Sequence, residues 1–156
     1  MVKHIRWYVN VSKWKPTKDE WLKLTSSIGS DEVERINKFV YQDDAKSSLV
    51  GCALIRKFLC LATELPSNEF VLRRTKYGRP EFVNNTKCGR LIDFNVSHSG
   101  DYCVLAGVYC PDSAYNHVKS LRVGVDVTKI VKKATKQDLD RFLDLMSRRE
   151  FTRDEW

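Results

Sequence analysis

The sequence predicts an α+β fold in which an antiparallel sheet is packed by helices. Three observations predict it: apolar residues follow a helical period before Pro66, short β-rich runs replace that period after Pro66, and no Pro/Gly/Ser-rich linker or repeat divides the chain. With 156 residues, of which 42% are hydrophobic, the chain is long enough to form one domain around its own core.

The first predicted elements are a strand and a short helix. Ile5, Trp7 and Val9 alternate with polar residues, which is typical of a half-buried strand. Thr17 and Glu20 have the spacing of a capping box, so a helix is predicted from there to about residue 27.

Two further helices are predicted before Pro66. Ser30, followed by Asp31 and Glu32, indicates a second helix start, because acidic side chains are stabilised near the N-terminal end of the helix dipole. The longest run of apolar residues at helical spacing covers residues 44–62, and Pro66 is predicted to end that helix.

The region after Pro66 predicts a sheet and one last helix. FNVS and YCVLAGV are predicted to form a hairpin whose turn is Ser97-His98-Ser99-Gly100. The predicted strands are 70–72, 81–83, 92–96, 102–108 and 121–127. An amphipathic helix is predicted over 136–146, with its apolar side formed by Leu139, Phe142, Leu143 and Met146.

Charge and cysteine content restrict the class of protein. Lys and Arg outnumber Asp and Glu by 27 to 20, and the net charge of +7 favours an anionic partner: nucleic acid, a membrane surface, an acidic protein or a phosphorylated ligand. No run of apolar residues has the length of a signal peptide or a membrane span, so we expect a soluble, cytoplasmic protein that does not bind membranes. Five cysteines without a C-x-x-C pair predict core residues rather than disulfides or a zinc site.

The end of the sequence resembles an unfinished helix start. Thr152 and Glu155 again have capping-box spacing, yet Trp156 is the last residue, and so short a helix does not repay its nucleation cost. We therefore expect the chain to be a fragment, or one half, of a longer protein. A frayed tail is the alternative interpretation.

The most basic segment, residues 73–80, is a candidate phosphate site. Arg73, Arg74, Lys76 and Arg79 surround Gly78, which would let backbone amides approach a ligand. Arginine forks match phosphate oxygens in a bidentate manner, and lysine adds a mobile charge. A solvated turn between two strands explains the composition equally well.

Ser97-His98-Ser99 is a second candidate. Adjacency argues against a nucleophile with its base, since catalytic serine and histidine normally meet across space, and the G-x-S-x-G elbow is absent. A serine hydroxyl and an imidazole beside a glycine turn suit a ligand phosphate, while a structural histidine remains the alternative.

Asp126 is the third candidate, because it interrupts the otherwise apolar run VGVDV. A buried carboxylate needs a cation nearby, unless it lies at an edge. Magnesium fits, since it takes one or two carboxylates and completes its coordination with phosphate oxygens and water. A structural salt bridge is the alternative interpretation.

These segments together resemble the 4′-phosphopantetheinyl transferases of the Sfp type, most of all the animal members that act on the aminoadipate pathway. The likeness extends over nearly the whole chain. Each motif alone is weak evidence for the family, but the motifs together, in this order, are specific for it. The matching motifs are Glu34-Arg35-Ile36, Asp44-Ala45-Lys46, Ile55-Arg56-Lys57, Arg74-x-x-x-Gly78-Arg79-Pro80, Phe94-Asn95-x-Ser97-His98-Ser99-Gly100, Gly124-Val125-Asp126 and Phe151-Thr152-x-x-Glu155-Trp156.

The resemblance implies an activity and a set of binding residues. Family members use magnesium to transfer the phosphopantetheine arm of coenzyme A to a serine of an acyl-carrier or peptidyl-carrier domain, releasing adenosine 3′,5′-bisphosphate. The resemblance to animal members implies that the carrier domain belongs to an enzyme of the fatty-acid synthase or aminoadipate-semialdehyde dehydrogenase type. By matching position, Asp126 would bind magnesium, and coenzyme A would be held by Arg35, Arg74, Thr75, Lys76, Tyr77, Gly78, Arg79, Asn95, Val96, Ser97 and His98.

The resemblance also implies a pseudo-twofold fold of two similar halves, of which residues 1–156 match the N-terminal half. Two features of the family are absent from the sequence. Many bacterial relatives carry a second acidic residue two positions after the aspartate, where this chain has Thr128. The Trp-x-x-Lys-Glu motif of the second half does not occur. That motif supplies another metal ligand, a base and a lysine, so no catalytic residue is assigned in this chain. We expect these 156 residues alone to show little or no transferase activity, which near-normal turnover of an apo carrier would contradict.

Two alternatives from other classes remain. A non-catalytic form could bind coenzyme A or carrier domains without transfer. A nucleic-acid binder is disfavoured, because the basic segment has Tyr77 as its one aromatic residue and lacks a stacking platform. The full-length protein is expected to be monomeric, whereas a half with an uncovered apolar interface would self-associate.

Overall fold

The computed structural model of the chain describes residues 1–67, 69, 71–83, 90–110, 120–129 and 135–149. In chain order the strands are β1 (Lys3–Asn10), β2 (Val71–Arg74), β3 (Pro80–Val83), β4 (Leu91–Ser99) and β5 (Tyr102–Cys110). The helices are α1 (Lys18–Ser26), α2 (Ser30–Asn37), α3 (Gln42–Thr63) and α4 (Lys136–Arg149), and a 3₁₀ turn covers Val11–Lys13.

The strands form two antiparallel sheets, which confirms the predicted α+β class. One sheet has the order β1-β5-β4, with β5 in the centre, and the other is the β2–β3 hairpin. Residue 70, the first of a predicted strand, lies outside the described residues, and so do Cys88 and the predicted capping box of Thr152 and Glu155.

Helix boundaries follow local chemistry. The capping box of α1 is confirmed: the Glu20 amide donates to Thr17 Oγ1 at 3.2 Å, and the Thr17 amide donates to Glu20 Oε2 at 2.7 Å. The long helix α3 ends at Thr63, before Pro66, because Glu64 adopts a left-handed conformation with φ of 61°. Pro66 is therefore not the residue that stops this helix.

The main core lies between α3 and the three-stranded sheet. Phe58 is completely buried there, and its ring lies 6.0 Å from that of Phe94 and 6.3 Å from that of Tyr109. Gly107 of the central strand makes this approach feasible, since a Cβ at that position would overlap the Phe58 ring. Helix α3 is thereby held against the sheet, and its N-terminal half is positioned beside β4.

The β4–β5 hairpin is confirmed, but its turn is shorter than predicted. Ser97, His98 and Ser99 belong to β4 and pair with Val104, Cys103 and Tyr102 of β5. Two residues, Gly100 and Asp101, make the connection, and Gly100 takes a φ of +57° that favours glycine. Strand pairing therefore continues through the segment that the sequence assigned to a turn.

The predicted strand at 121–127 is wrong as a member of the sheet. Its backbone N–H groups bond to side chains of β4 instead of to carbonyls, so no strand ladder forms. We call this arrangement the polar ladder: Val123, Val125, Val127 and Lys129 donate to the side chains of Asp93, Asn95, Ser97 and Ser99 at 2.7, 3.0, 3.3 and 3.1 Å.

The last helix forms as predicted and extends to Arg149, but its apolar side is not buried. Leu139, Phe142 and Leu143 are 52%, 44% and 40% exposed, and the side chain of Met146 lies outside the described part. None of the helices in the described ranges combines the length and apolar character that a membrane crossing requires.

Candidate functional site

A cavity of about 350 Å³, which we call the loop cavity, is lined by residues of strands β2, β3 and β4, of the loop between β2 and β3, and of helices α2 and α3. It is lined by eight of the eleven residues that the resemblance assigned to coenzyme A binding. These are Arg35, Arg74, Tyr77, Gly78, Arg79, Asn95, Val96 and His98. Ser48, Gly51, Cys52, Ile55 and Pro80 complete its lining.

The other three assigned residues do not line the loop cavity. Thr75 shapes the loop instead: its Oγ1 accepts the Arg79 amide at 3.1 Å and the Tyr77 amide at 3.3 Å. Lys76 places its ammonium 4.8 Å from the centre of the Tyr77 ring. Ser97 faces the polar ladder.

The loop forms a turn between β2 and β3 and also one wall of the loop cavity. Gly78 has a φ of +83°, and its carbonyl accepts from Arg74 Nη1 at 2.5 Å. Tyr77 is 85% exposed at the tip. The guanidinium of Arg74 is thus tied to the glycine turn that follows it.

Arg79 is fixed by β4. Its Nη2 donates to Asp93 Oδ1 at 2.8 Å, to Asp93 Oδ2 at 3.0 Å and to the Phe94 carbonyl at 3.0 Å. Asp93 also accepts the first bond of the polar ladder, from Val123. One carboxylate therefore links the loop cavity to the segment that carries Asp126.

Glu32 joins two of the cavity arginines. It accepts from Arg74 Nε at 2.6 Å and Arg74 Nη2 at 2.8 Å, and from Arg35 Nε at 3.0 Å and Arg35 Nη2 at 2.8 Å. Burial alone would raise the pKa of Glu32, but the hydrogen bonds and charges of Arg74 and Arg35 outweigh it and lower this pKa to about 2. The same pairing raises the pKa of Arg74, so both groups are ionised at neutral pH.

The Glu32 contacts predict an acid-dependent stability. The folded-state pKa is depressed from 4.5 to about 2, so the stabilisation is complete above pH 4.5 and is lost as the pH falls toward 2. The shift corresponds to roughly 3 kcal/mol. Glu32→Gln should therefore unfold at lower urea than the unsubstituted chain at pH 7, with the difference shrinking between pH 4.5 and 2.

Asp31→Asn is the matched control, because Asp31 is the neighbouring acid of α2 and bonds to neither arginine. Its urea unfolding, measured over the same pH range, is the reference for the Glu32→Gln series. A constant difference between Glu32→Gln and the unsubstituted chain from pH 7 to pH 2 would contradict the prediction.

Cys52 lies beside this cluster, with its Sγ 3.4 Å from Glu32 Oε2. Burial, reinforced by the charge and hydrogen bond of Glu32, raises the pKa of Cys52 to about 11, and burial raises that of Cys103 to about 11. At pH 8 about one thiol in a thousand is ionised at either position. Iodoacetamide should therefore modify the half-buried Cys60 before Cys52 and Cys103, as peptide mass spectrometry would show.

The same reagent applied in 6 M urea should remove the difference, because unfolding exposes all the thiols. Equal rates for Cys52 and Cys60 in the folded chain would contradict the prediction. In the described part of the chain, Cys52, Cys103 and Cys110 are buried, as predicted for core residues, and Cys60 is half-buried.

Asp126 lies in an exposed position. Side chains of 121–127 alternate between half-buried and exposed, and Asp126 is exposed, so it is not a buried acid. Its Oδ1 accepts the hydroxyl proton of Ser97, whose Oγ accepts the Val127 amide. Asp126 does not line the loop cavity, although Ser97 lies between the cavity residues Val96 and His98 on β4.

The donor set around Asp126 fits a one-carboxylate magnesium site. No group of three or more His, Cys, Asp and Glu residues occurs in the ranges that the structure describes. Asp126 is exposed, and its Oδ2 is not used by Ser97. Magnesium accepts such sites, because ligand phosphates and water complete its octahedron.

Sequence reasoning missed the groups that hold the arginines. Glu32 was assigned only to the start of α2, yet its i,i+3 spacing to Arg35 was a signal for that ion pair. Asp93 and Ser48 had no comparable signal, because their contacts with Arg79 and Arg35 join residues distant in sequence. His98 is exposed at the cavity, which argues against a buried structural histidine.

Comparison with known proteins gives a consistent set of relatives. Residues 12–110 match the family model described as "4'-phosphopantetheinyl transferase, N-terminal". The chain is 33% identical over 153 residues to the L-aminoadipate-semialdehyde dehydrogenase-phosphopantetheinyl transferase of Homo sapiens, covering 97% of this chain and 46% of that protein. It is 35% identical over 150 residues to a phosphopantetheinyl transferase of Thraustochytrium sp., covering 96% and 48%.

A bacterial relative is more distant. The 4'-phosphopantetheinyl transferase gsp of Aneurinibacillus migulanus is 30% identical over 107 residues, covering 69% of this chain and 38% of that protein. The chain therefore spans about half the length of the curated relatives it matches.

Proposed function

This chain belongs to the family of the 4′-phosphopantetheinyl transferase N-terminal region, and we propose from that premise that its loop cavity binds the phosphates of coenzyme A. The observation that carries the proposal is the convergence of Arg35, Arg74 and Arg79 with His98 on one cavity beside a glycine turn. Guanidinium groups are donors that match phosphate oxygens, whereas the backbone amides of Tyr77, Gly78 and Arg79 are already bonded to Thr75.

The proposed reaction is transfer of the phosphopantetheine arm to a carrier-domain serine. The serine hydroxyl gives its proton to a base, which the family carries in the Trp-x-x-Lys-Glu motif that this sequence lacks. The serine oxygen forms a bond to the phosphorus that carries the arm, the bond from that phosphorus to the nucleotide phosphate breaks, and adenosine 3′,5′-bisphosphate leaves. In this reaction the arginines of the loop cavity hold the nucleotide phosphates and neutralise the leaving group. The resemblance to animal members favours carriers of the fatty-acid synthase and aminoadipate-semialdehyde dehydrogenase type, and we propose a cytosolic location for the protein.

Asp126 is the proposed magnesium ligand of this chain. Ser97 donates to its Oδ1 and so holds the carboxylate in one orientation, leaving Oδ2 for the metal. Bound magnesium would supply positive charge next to the diphosphate as negative charge develops on the leaving group. The polar ladder supports this role, because it fixes the backbone on either side of Asp126 to β4.

Calorimetric titration of the chain with coenzyme A tests the proposal. We expect saturable binding, competition by adenosine 3′,5′-bisphosphate, and tighter binding with magnesium. Asp126→Asn should lose the magnesium effect and keep the magnesium-free affinity. Absence of binding at millimolar coenzyme A would refute the proposal, and salt-sensitive binding of RNA with no preference for coenzyme A would support a nucleic-acid binder instead.

Transfer is tested separately, with an apo carrier domain and mass spectrometry. Binding of coenzyme A without transfer would favour the non-catalytic alternative for this chain. Transfer to the carrier serine would establish the enzymatic function.

A further inference from the structure

A second cavity of about 510 Å³ adjoins the loop cavity on the side of α2, and we call it the α2 cavity. Arg35 and Arg74 line both cavities, whereas Glu32 lines only the α2 cavity. The carboxylate therefore contacts the two arginines from the side of the α2 cavity. It is not part of the lining of the loop cavity.

Glu32 uses the same edge of each guanidinium. Both arginines donate to it through Nε and Nη2. Each guanidinium has a second, uncharged anchor, since Arg35 Nη2 donates to Ser48 Oγ at 2.6 Å and Arg74 Nη1 donates to the Gly78 carbonyl at 2.5 Å. In the part of the chain that the structure describes, Nη1 of Arg35 has no hydrogen-bond partner.

The negative charge of Glu32 also reduces the repulsion between Arg35 and Arg74. Two guanidiniums that share one small cavity repel each other, and a shared carboxylate offsets that repulsion. The group of three keeps a net charge of +1, which still attracts an anion. A planar guanidinium fixed at two points also loses less rotational freedom when a ligand binds.

We propose that Glu32 is the positioning residue of the phosphate site, holding Arg35 and Arg74 so that both donate to one phosphate group of the ligand. This inference rests on the proposed binding of coenzyme A in the loop cavity. The rival interpretation is that Glu32 competes with the phosphate for the arginines. Its absence from the lining of the loop cavity argues against competition.

The two interpretations give opposite results for Glu32→Gln. Removing a negative charge alone should tighten the binding of an anion, whereas losing the anchor should weaken it. We expect adenosine 3′,5′-bisphosphate to bind about tenfold more weakly to Glu32→Gln, despite the added positive charge. Calorimetry at one fixed ionic strength makes the measurement.

Asp31→Asn is the matched control, because it removes the same charge one residue earlier and has no bond to either arginine. It should bind the bisphosphate as tightly as the unsubstituted chain, or slightly more tightly. Glu32→Asp keeps the charge but shortens the side chain, so an intermediate affinity is expected. Tighter binding by Glu32→Gln would overturn the proposal in favour of competition.

A ligand-free measurement separates this inference from the proposed function. The arginine Nε–H resonances of Arg35 and Arg74, followed by NMR, should be slow to exchange with water in the unsubstituted chain and in Asp31→Asn. They should exchange rapidly in Glu32→Gln, and unchanged exchange there would contradict the positioning role. Failure of the unsubstituted chain to bind coenzyme A or the bisphosphate would instead refute the proposed function, with the NMR comparison still deciding the role of Glu32.

Discussion

Phe58→Ala is expected to lower the free energy of unfolding by about 3–5 kcal/mol. The side chain is 0% exposed, and its ring packs between those of Phe94 and Tyr109. Gly107 of β5 faces the same ring with no side chain of its own, so the surrounding groups have little means of filling the cavity. Urea unfolding followed by circular dichroism makes the measurement.

Leu61→Ala on the same helix is the matched control, because Leu61 is 44% exposed. It should cost less than about 1 kcal/mol. Similar costs for the two substitutions would mean that α3 is not anchored through Phe58. The result bears on function as well, since α3 carries Ser48 and Cys52 of the loop cavity.

Arg74→Ala is expected to weaken the binding of coenzyme A about 30-fold, or roughly 2 kcal/mol. The substitution removes a guanidinium from the loop cavity and leaves Glu32 with one arginine partner instead of two. The loss should shrink as the salt concentration rises, because it is mainly electrostatic. Calorimetric titrations at two ionic strengths would check both expectations.

Arg73→Ala provides the comparison. Arg73 is the preceding residue on β2 and has the same charge, but it lines the α2 cavity rather than the loop cavity. Its replacement should weaken binding less than threefold. An equal loss for the two arginines would indicate that net charge, rather than the loop cavity, determines the affinity.

Local patterns predicted most of the secondary structure. The Thr17 capping box and the apolar period of α3 each depend on groups within a few residues, so they can be recognised in sequence. The exact turn of the β4–β5 hairpin could not, because its register is set by the pairing of Ser97–Ser99 with β5. The period also predicted α4, but it could not show what the apolar side of this helix packs against, and Leu139, Phe142 and Leu143 are 52%, 44% and 40% exposed.

Site prediction depended on the resemblance more than on local pattern. The basic loop and the β4 motif were correctly expected to meet, and the loop cavity collects most of their residues. For Asp126 the sequence left two environments open, a buried site with a cation nearby or a place at an edge, and the structure places its side chain on the exposed side of an alternating segment. The partner carboxylates Glu32 and Asp93 became evident only from the folded arrangement.

The polar ladder has a consequence for how the Asp126 segment can vary. An ordinary strand is attached by amide and carbonyl groups that every residue except proline supplies, so its attachment tolerates most changes of side chain. Residues 123–129 are attached to Asp93, Asn95, Ser97 and Ser99 by groups that only certain amino acids possess. A single substitution on β4, natural or engineered, can therefore remove one of these four hydrogen bonds and leave the other three in place. The backbone pairing of β4 with β5 does not depend on these side chains.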